Sequence, residues 1–144
     1  MPSDTAYPPR PATLDAGLLL ARVMLCALFL VAGYGKLMAV GRTAGYLGSL
    51  GVPMPAITVW LVIAAELGLA ALLLLGIRAR WVALALCLFT LVTAALGHGF
   101  WNIDPATPQY MAQQTQFLKN LGIAGGFLVL ALIGPGRFAL DRRG

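Results

Sequence analysis

Four apolar stretches, near Ala16–Ala39, Ala56–Gly76, Trp81–Gly99 and Phe117–Gly134, take up most of this 144-residue chain. Each approaches the roughly 20 residues that cross about 30 Å of hydrocarbon as a helix. In that solvent every backbone N–H and C=O must be paired within the structure, which restricts such segments to helices. The chain therefore reads as all-α: an integral membrane four-helix bundle. Composition agrees, with 60% hydrophobic residues, 10% charged residues and a mean hydropathy of +0.85, where soluble domains carry about 25% charged residues. The length allows one domain.

Breaks at Gly41–Pro55, Ile77–Arg80 and Phe100–Gln116 separate the spans, and Gly134-Pro135-Gly136 stops the last. The expected organisation is a disordered, Pro-containing N-terminal tail over 1–14, a four-span domain over 15–135 and a basic tail over 136–144. The first stretch is too long for the apolar core of a signal peptide and carries Arg22 within it. With four spans, the N-terminus, the second loop and the C-terminus share one side. Arg10, Arg78, Arg80, Arg137, Arg142 and Arg143 fall there, and the positive-inside rule makes both termini cytoplasmic. The first external loop contains Tyr46, Leu47, Leu50 and Val52, which either lie on the membrane surface or dip into the bundle. The second, Trp101 to Gln116, is expected to be a short lid or interfacial segment.

The net charge of +5 is scattered, with no basic stripe interleaved with aromatics, so nucleic acid is excluded as a partner. Cys26 and Cys87 lie inside apolar runs without CxxC or Cys/His spacing. They read as buried small hydrophobes, with a disulfide or redox pair as the alternative. No phosphate-binding glycine loop, no Ser/His/Asp arrangement and no pair of haem-ligating histidines occurs, and no metal site is expected.

Against this background Glu66 stands out as the only charge in the run from Ile57 to Leu75. A charge at the centre of a span costs about 2.5–3.5 kcal/mol on insertion scales, so it faces a partner or a cavity. The functional reading makes it a proton-handling or ligand-binding group; the structural one makes it half of an ion pair that fixes helix register. The candidate partners are basic. Arg22 and Lys36 lie fourteen residues apart on nearly one face of the first span, with Phe29 and Gly33 between them. Glu66 is within reach of Arg22 from below and of Lys119 or His98 from above; Arg22 alternatively snorkels to the interface, and Lys36 reads as an interfacial anchor. His98 is either an interfacial residue beside aromatic neighbours or a hydrogen-bonding and proton-transferring group. Lys119 and Asn120 open the fourth span together and read as an inward ligand contact. Glu66 and His98 are thus the candidate catalytic residues, and Arg22, Lys119 and Asn120 the candidate ligand-binding ones. Gly122 with Gly126 and Ala64 with Gly68 read as close-packing positions between helices.

Several segments resemble the DoxX family: Gly33-Tyr34-Gly35-Lys36-Leu37, Tyr46 through Pro55, Ala65-Glu66-Leu67-Gly68, His98-Gly99-Phe100-Trp101, Phe117-Leu118-Lys119-Asn120, and Gly134 through Asp141. The resemblance covers nearly the whole chain beyond its N-terminal tail. It implies a four-helix protein of the bacterial inner membrane, in a family some of whose members are associated with quinone-linked sulfur oxidation. Others are linked to oxidative or thiol stress and to quinone and catechol resistance. A membrane component of a quinone- or thiol-linked redox system follows as the first expectation, with quinone as cofactor. The partners expected are the lipid bilayer, a soluble or membrane oxidoreductase and further copies of the chain. The alternatives are a non-enzymatic membrane anchor for soluble redox proteins and, ranked last, a transporter of a small metabolite or protons, for which no internal repeat speaks.

Overall fold

The structure is a computed structural model and describes residues 11–141. Helix α1 runs over Ala12–Leu37 and α2 over Val40–Ser49. Then come α3 over Pro55–Leu75, α4 over Ala79–Gly97 and α5 over Pro108–Ile133, with a 3-10 turn at Phe100–Asn102. Four of these five helices are long and apolar enough to span a membrane. Because α1 begins at Ala12, the last residues expected in the N-terminal tail are helical; residues 1–10 lie outside the described residues.

Local chemistry sets the helix ends. Pro55 opens α3 at a position where its missing N–H is not needed. Gly76 closes α3 in the left-handed region at φ 76°. A Cβ there would stand 2.5 Å from the Cβ of Ala139, so glycine is required twice over. Pro108 opens α5 earlier than hydropathy implies, because the polar turns carrying Gln109 and Gln113 continue the helix beyond its apolar part. The expected second external loop is therefore half helix.

Helices α4 and α5 form the tightest pair, α1 lies along α3, and α1 also meets α5. Cys26, Phe29, Ala70, Leu73, Leu86 and Phe127 are buried between them. Phe29 meets Phe127 edge-on at 5.3 Å, within the range where aromatic pairs attract beyond their buried area. Only 17–39% of the most apolar stretch of each span is buried in the bundle. Leu20, Met24, Val31, Leu61 and Leu132 point outward, as a chain solvated by lipid requires. Gly126 packs under Leu25 as expected of a small residue between helices, whereas Gly122 and Gly68 face open space and Ala64 is exposed. Close packing thus uses one of those four positions.

One end of the bundle is tied shut. Arg22, fully buried, donates through Nε to the Leu73 carbonyl at 3.0 Å and through Nη2 to that of Leu74, capping the C-terminus of α3. Its Nη1 reaches the carbonyls of Pro135 and Phe138, both at 3.2 Å. Arg80 caps α5 at the carbonyls of Leu132 (2.8 Å) and Ile133 (3.2 Å). The chain after α5 returns beneath the bundle, Leu140 N–H donating to Leu75 and Asp141 N–H to Gly76. Asp15 at the start of α1 accepts the Arg137 N–H at 3.1 Å. The start of α1, the α3–α4 turn and the C-terminal segment thus meet at one end, as a four-span count demands.

Candidate functional site

The opposite half of the bundle holds a cavity of about 460 Å³, within the roughly 300–1,000 Å³ of small-molecule sites. Apolar side chains from α1, α3 and α4 form most of its wall, among them Phe29, Val62 and Phe89, and Asn120 enters from α5. Leu28, Val92 and Leu96 belong both to this wall and to the outer surface, being 50%, 58% and 53% exposed. The cavity is therefore open along apolar, span-length surface.

Helix α2 forms the roof. The chain turns at Ala39, and the polar and small residues of Val40–Ser49 face away while Thr43, Tyr46 and Leu47 look into the cavity. Tyr46 Oη donates to the Gly97 carbonyl at 3.2 Å, tying roof to α4. The segment lies across the end of the bundle with none of the residues of α2 fully buried, and it lines the cavity through Thr43, Tyr46 and Leu47.

Glu66 lies on the cavity wall, and the helix around it is not α-helical. Residues Ala65–Leu69 form a single π-helical turn inside α3, a feature that inserts one extra residue and recurs at functional sites. Glu66 is paired with Lys36, whose Nζ is 2.8 Å from both Oε1 and Oε2. The carboxylate side chain is 8% exposed and the lysine 30%. Lys36 is thus not the interfacial anchor expected from its place near a helix end. Roofing by α2 keeps it in the bundle, where Glu66 is its nearest counter-charge. Gly33 makes the approach possible: a Cβ there would lie 2.8 Å from Leu67 Cδ2 and 3.0 Å from Glu66 Cβ.

The remaining candidates divide. His98 lines the cavity, its Nδ1 2.7 Å from Gln113 Oε1. That contact occupies Nδ1 and leaves Nε2 as the ring's second polar position. Asn120 also lines the cavity, its Nδ2 donating to the Gln116 carbonyl at 2.9 Å. Lys119 is exposed on the other face of α5 and bonds Gln116 Oε1 at 2.6 Å, so it does not join the group. Arg22 does not join it either, being held by backbone carbonyls at the tied end. Cys26 and Cys87 are free and buried. Among the described residues no cluster of three metal-binding side chains occurs.

Sequence reasoning missed three threonines. Thr43, Thr58 and Thr93 line the cavity, but a threonine in a helix most often just bonds its own backbone, so it carries little signal. The π turn has no sequence mark beyond the small residues around Glu66.

The DoxX family model matches residues 17–99, from α1 to the end of α4. The chain is similar to inner membrane protein YphA of Escherichia coli (strain K12), 38% identical over 128 residues that cover 88% of this chain and 89% of that protein. It is also similar to inner membrane protein YqjF of the same organism, 40% identical over 128 residues, covering 89% and 92%. A Surfeit locus protein 4 homolog of Schizosaccharomyces pombe is 30% identical over 73 residues, 51% of this chain and 24% of that protein. No solved structure matches.

Proposed function

The chain belongs to the DoxX family of multi-pass inner membrane proteins, and from that premise we propose that it is the membrane component of a quinone-linked redox system. The observation that carries the reading is the Lys36–Glu66 pair, 2.8 Å apart on the wall of a largely apolar cavity that opens along span surface. A ligand dissolved in the bilayer reaches such a cavity without crossing water. Its volume suits a substituted six-membered ring with the first part of a hydrocarbon tail.

In this reading the residues divide the work. Phe29, Phe89 and Val62 hold the ring, and Leu28 and Leu96 meet its tail at the opening. The ammonium of Lys36 orients a ring oxygen with an N–H that Glu66 does not use. Glu66, fixed by the π turn, holds or releases a proton at Oε1 or Oε2, and His98 Nε2 does so at a second ring position. A bound quinone supplies two-electron, two-proton chemistry, its electrons exchanged with a partner oxidoreductase. Arg78, Arg80 and Arg137 mark the cytoplasmic side by the positive-inside rule, so the cavity lies in the outer half of the membrane.

The thiol-linked variant and the transporter have less support. Both cysteines are buried away from any partner's thiol, and the end opposite the cavity is tied shut by Arg22 and the C-terminal segment. Purification in lipid nanodiscs followed by mass spectrometry of extracted lipids tests the proposal. Wild type is expected to retain quinone near one per chain and Glu66→Gln to lose most of it. Equal, trace amounts in both would overturn the quinone reading.

A further inference from the structure

The hydroxyl groups around the cavity have their protons committed elsewhere. Thr43 Oγ1 donates to the Ala39 carbonyl at 3.1 Å and Thr58 Oγ1 to that of Pro53 at 2.8 Å. Thr93 Oγ1 donates to Phe89 at 2.9 Å, with Thr90 at 3.1 Å, and Tyr46 Oη to Gly97 at 3.2 Å. A hydroxyl has one proton and two lone pairs, so each of these presents only acceptor capacity to a ligand. His98 adds the lone pair of Nε2 in the tautomer that donates from Nδ1 to Gln113 Oε1. Glu66 adds carboxylate lone pairs, and Asn120 adds Oδ1.

Donors facing the cavity are fewer. Lys36 Nζ has three N–H groups and two carboxylate oxygens at 2.8 Å, which leaves one free. Asn120 has one N–H beyond that bonded to Gln116. Acceptors therefore outnumber donors in a wall that is otherwise largely apolar. A carbonyl-bearing ring brings only acceptors and has just these two donors to meet. A hydroxyl-bearing ring brings donors to the more numerous acceptors, and a polar group left unmatched against an apolar wall is costly.

We infer that the cavity selects the reduced, dihydroxy form of its ring ligand over the oxidised, dicarbonyl form. This rests on the ring-binding reading above and adds its direction. Preferential binding of the reduced form raises the potential of the bound couple, and a tenfold preference corresponds to about 30 mV for two electrons.

The probes are decylubiquinol, kept reduced under anaerobic conditions, and decylubiquinone, each equilibrated with wild-type protein in nanodiscs and corrected against empty nanodiscs. Decylubiquinol is expected to bind at least tenfold more tightly. Thr58→Val and Thr93→Val preserve shape and remove one acceptor each. Each is expected to weaken decylubiquinol by about 3- to 10-fold and leave decylubiquinone unchanged. Equal affinities, or tighter decylubiquinone, would overturn the inference while leaving the ring-binding reading intact. Loss of both ligands equally in the valine variants overturns it too, since that reports damage to the cavity rather than to its acceptors. If neither probe binds wild type, both readings fall.

Discussion

Lys36 Nζ sits 2.8 Å from both carboxylate oxygens of Glu66, bridging α1 to the one π-helical turn of α3. The pair is enclosed without being sealed, as the lysine keeps 30% of its side-chain surface exposed at the cavity. A carboxylate with both oxygens on one ammonium is a register lock; on a cavity wall it is also a polar contact waiting for a ligand. The two roles separate by mutation.

Removing one partner strands the other in an apolar wall. Glu66→Leu and Lys36→Met are each expected to destabilise the bundle by about 3 kcal/mol, the low end for a buried pair because Lys36 is part-exposed. The double variant is expected to recover most of that loss, since an apolar pair of similar volume has no charge to strand. Thermal unfolding in one detergent checks stability, and quinone retention checks function. Recovery of stability with no recovery of retention assigns the pair to the ligand; recovery of both would make it structural only.

Gly33 sets how close α1 comes to the π turn. Gly33→Ala places a methyl 2.8 Å from Leu67 Cδ2 and is expected to cost about 1–3 kcal/mol by overpacking. The second variant Gly33→Ala/Leu67→Ala removes the obstructing atoms and is expected to regain stability and ligand retention together. Failure of the second substitution to help would place the strain against Glu66 Cβ instead, 3.0 Å away.

Much of this was legible in one dimension. The four spans and the stops at Gly76 and Gly134 follow from hydropathy and turn chemistry, and Glu66 stood out because a lone charge in a span is rare. Its partner was not legible. Arg22 from one side and Lys119 or His98 from the other are all within reach by depth alone, and Lys36, the partner found, shares the face of α1 that carries Arg22. The choice was made by the C-terminal segment, whose carbonyls at Pro135 and Phe138 capture Arg22, and by Gly33, which brings Lys36 in. Lys36 looked like an anchor because a lysine near a span end normally meets headgroups; α2 intervenes, and its fold over the bundle depends on contacts across the whole chain. Lys119 and Asn120 are adjacent, so a helix must point them apart; only Asn120 enters the cavity.

Arg22 holds the C-terminal segment, and that assignment predicts where its loss is felt. Arg22→Met leaves the carbonyls of Leu73, Leu74, Pro135 and Phe138 without their charged donor, at an expected cost of about 3 kcal/mol. Lysine is not expected to restore it, being a point charge where a planar fork spans two chain segments. Hydrogen exchange reads this locally. The amides of Leu140 and Asp141, which donate to Leu75 and Gly76, should exchange much faster in Arg22→Met, while amides in the middle of α4 change little. Uniform acceleration across the bundle would instead make Arg22 a general core residue.

Tyr46 ties the roof, and its hydroxyl is the one side-chain bond between α2 and α4 among the described residues. Tyr46→Phe keeps the ring over the cavity and removes the bond to the Gly97 carbonyl. A single such bond is worth about 0.5–1.5 kcal/mol, so the roof should open roughly 3- to 10-fold more often while the folded bundle keeps nearly its full stability. If roof opening limits entry and exit, association and dissociation of decylubiquinone both accelerate by the same factor and its Kd stays fixed. The oxidised probe is the right one, because it has no proton to give the lost oxygen. Ser49→Ala is the control: its Oγ bonds only the Tyr46 carbonyl within α2, at 2.7 Å, so exchange rates should not move. Stopped-flow mixing with nanodiscs measures both rates. Unchanged rates in Tyr46→Phe would mean that α2 is held by its apolar contacts and does not gate the opening past Leu28 and Leu96.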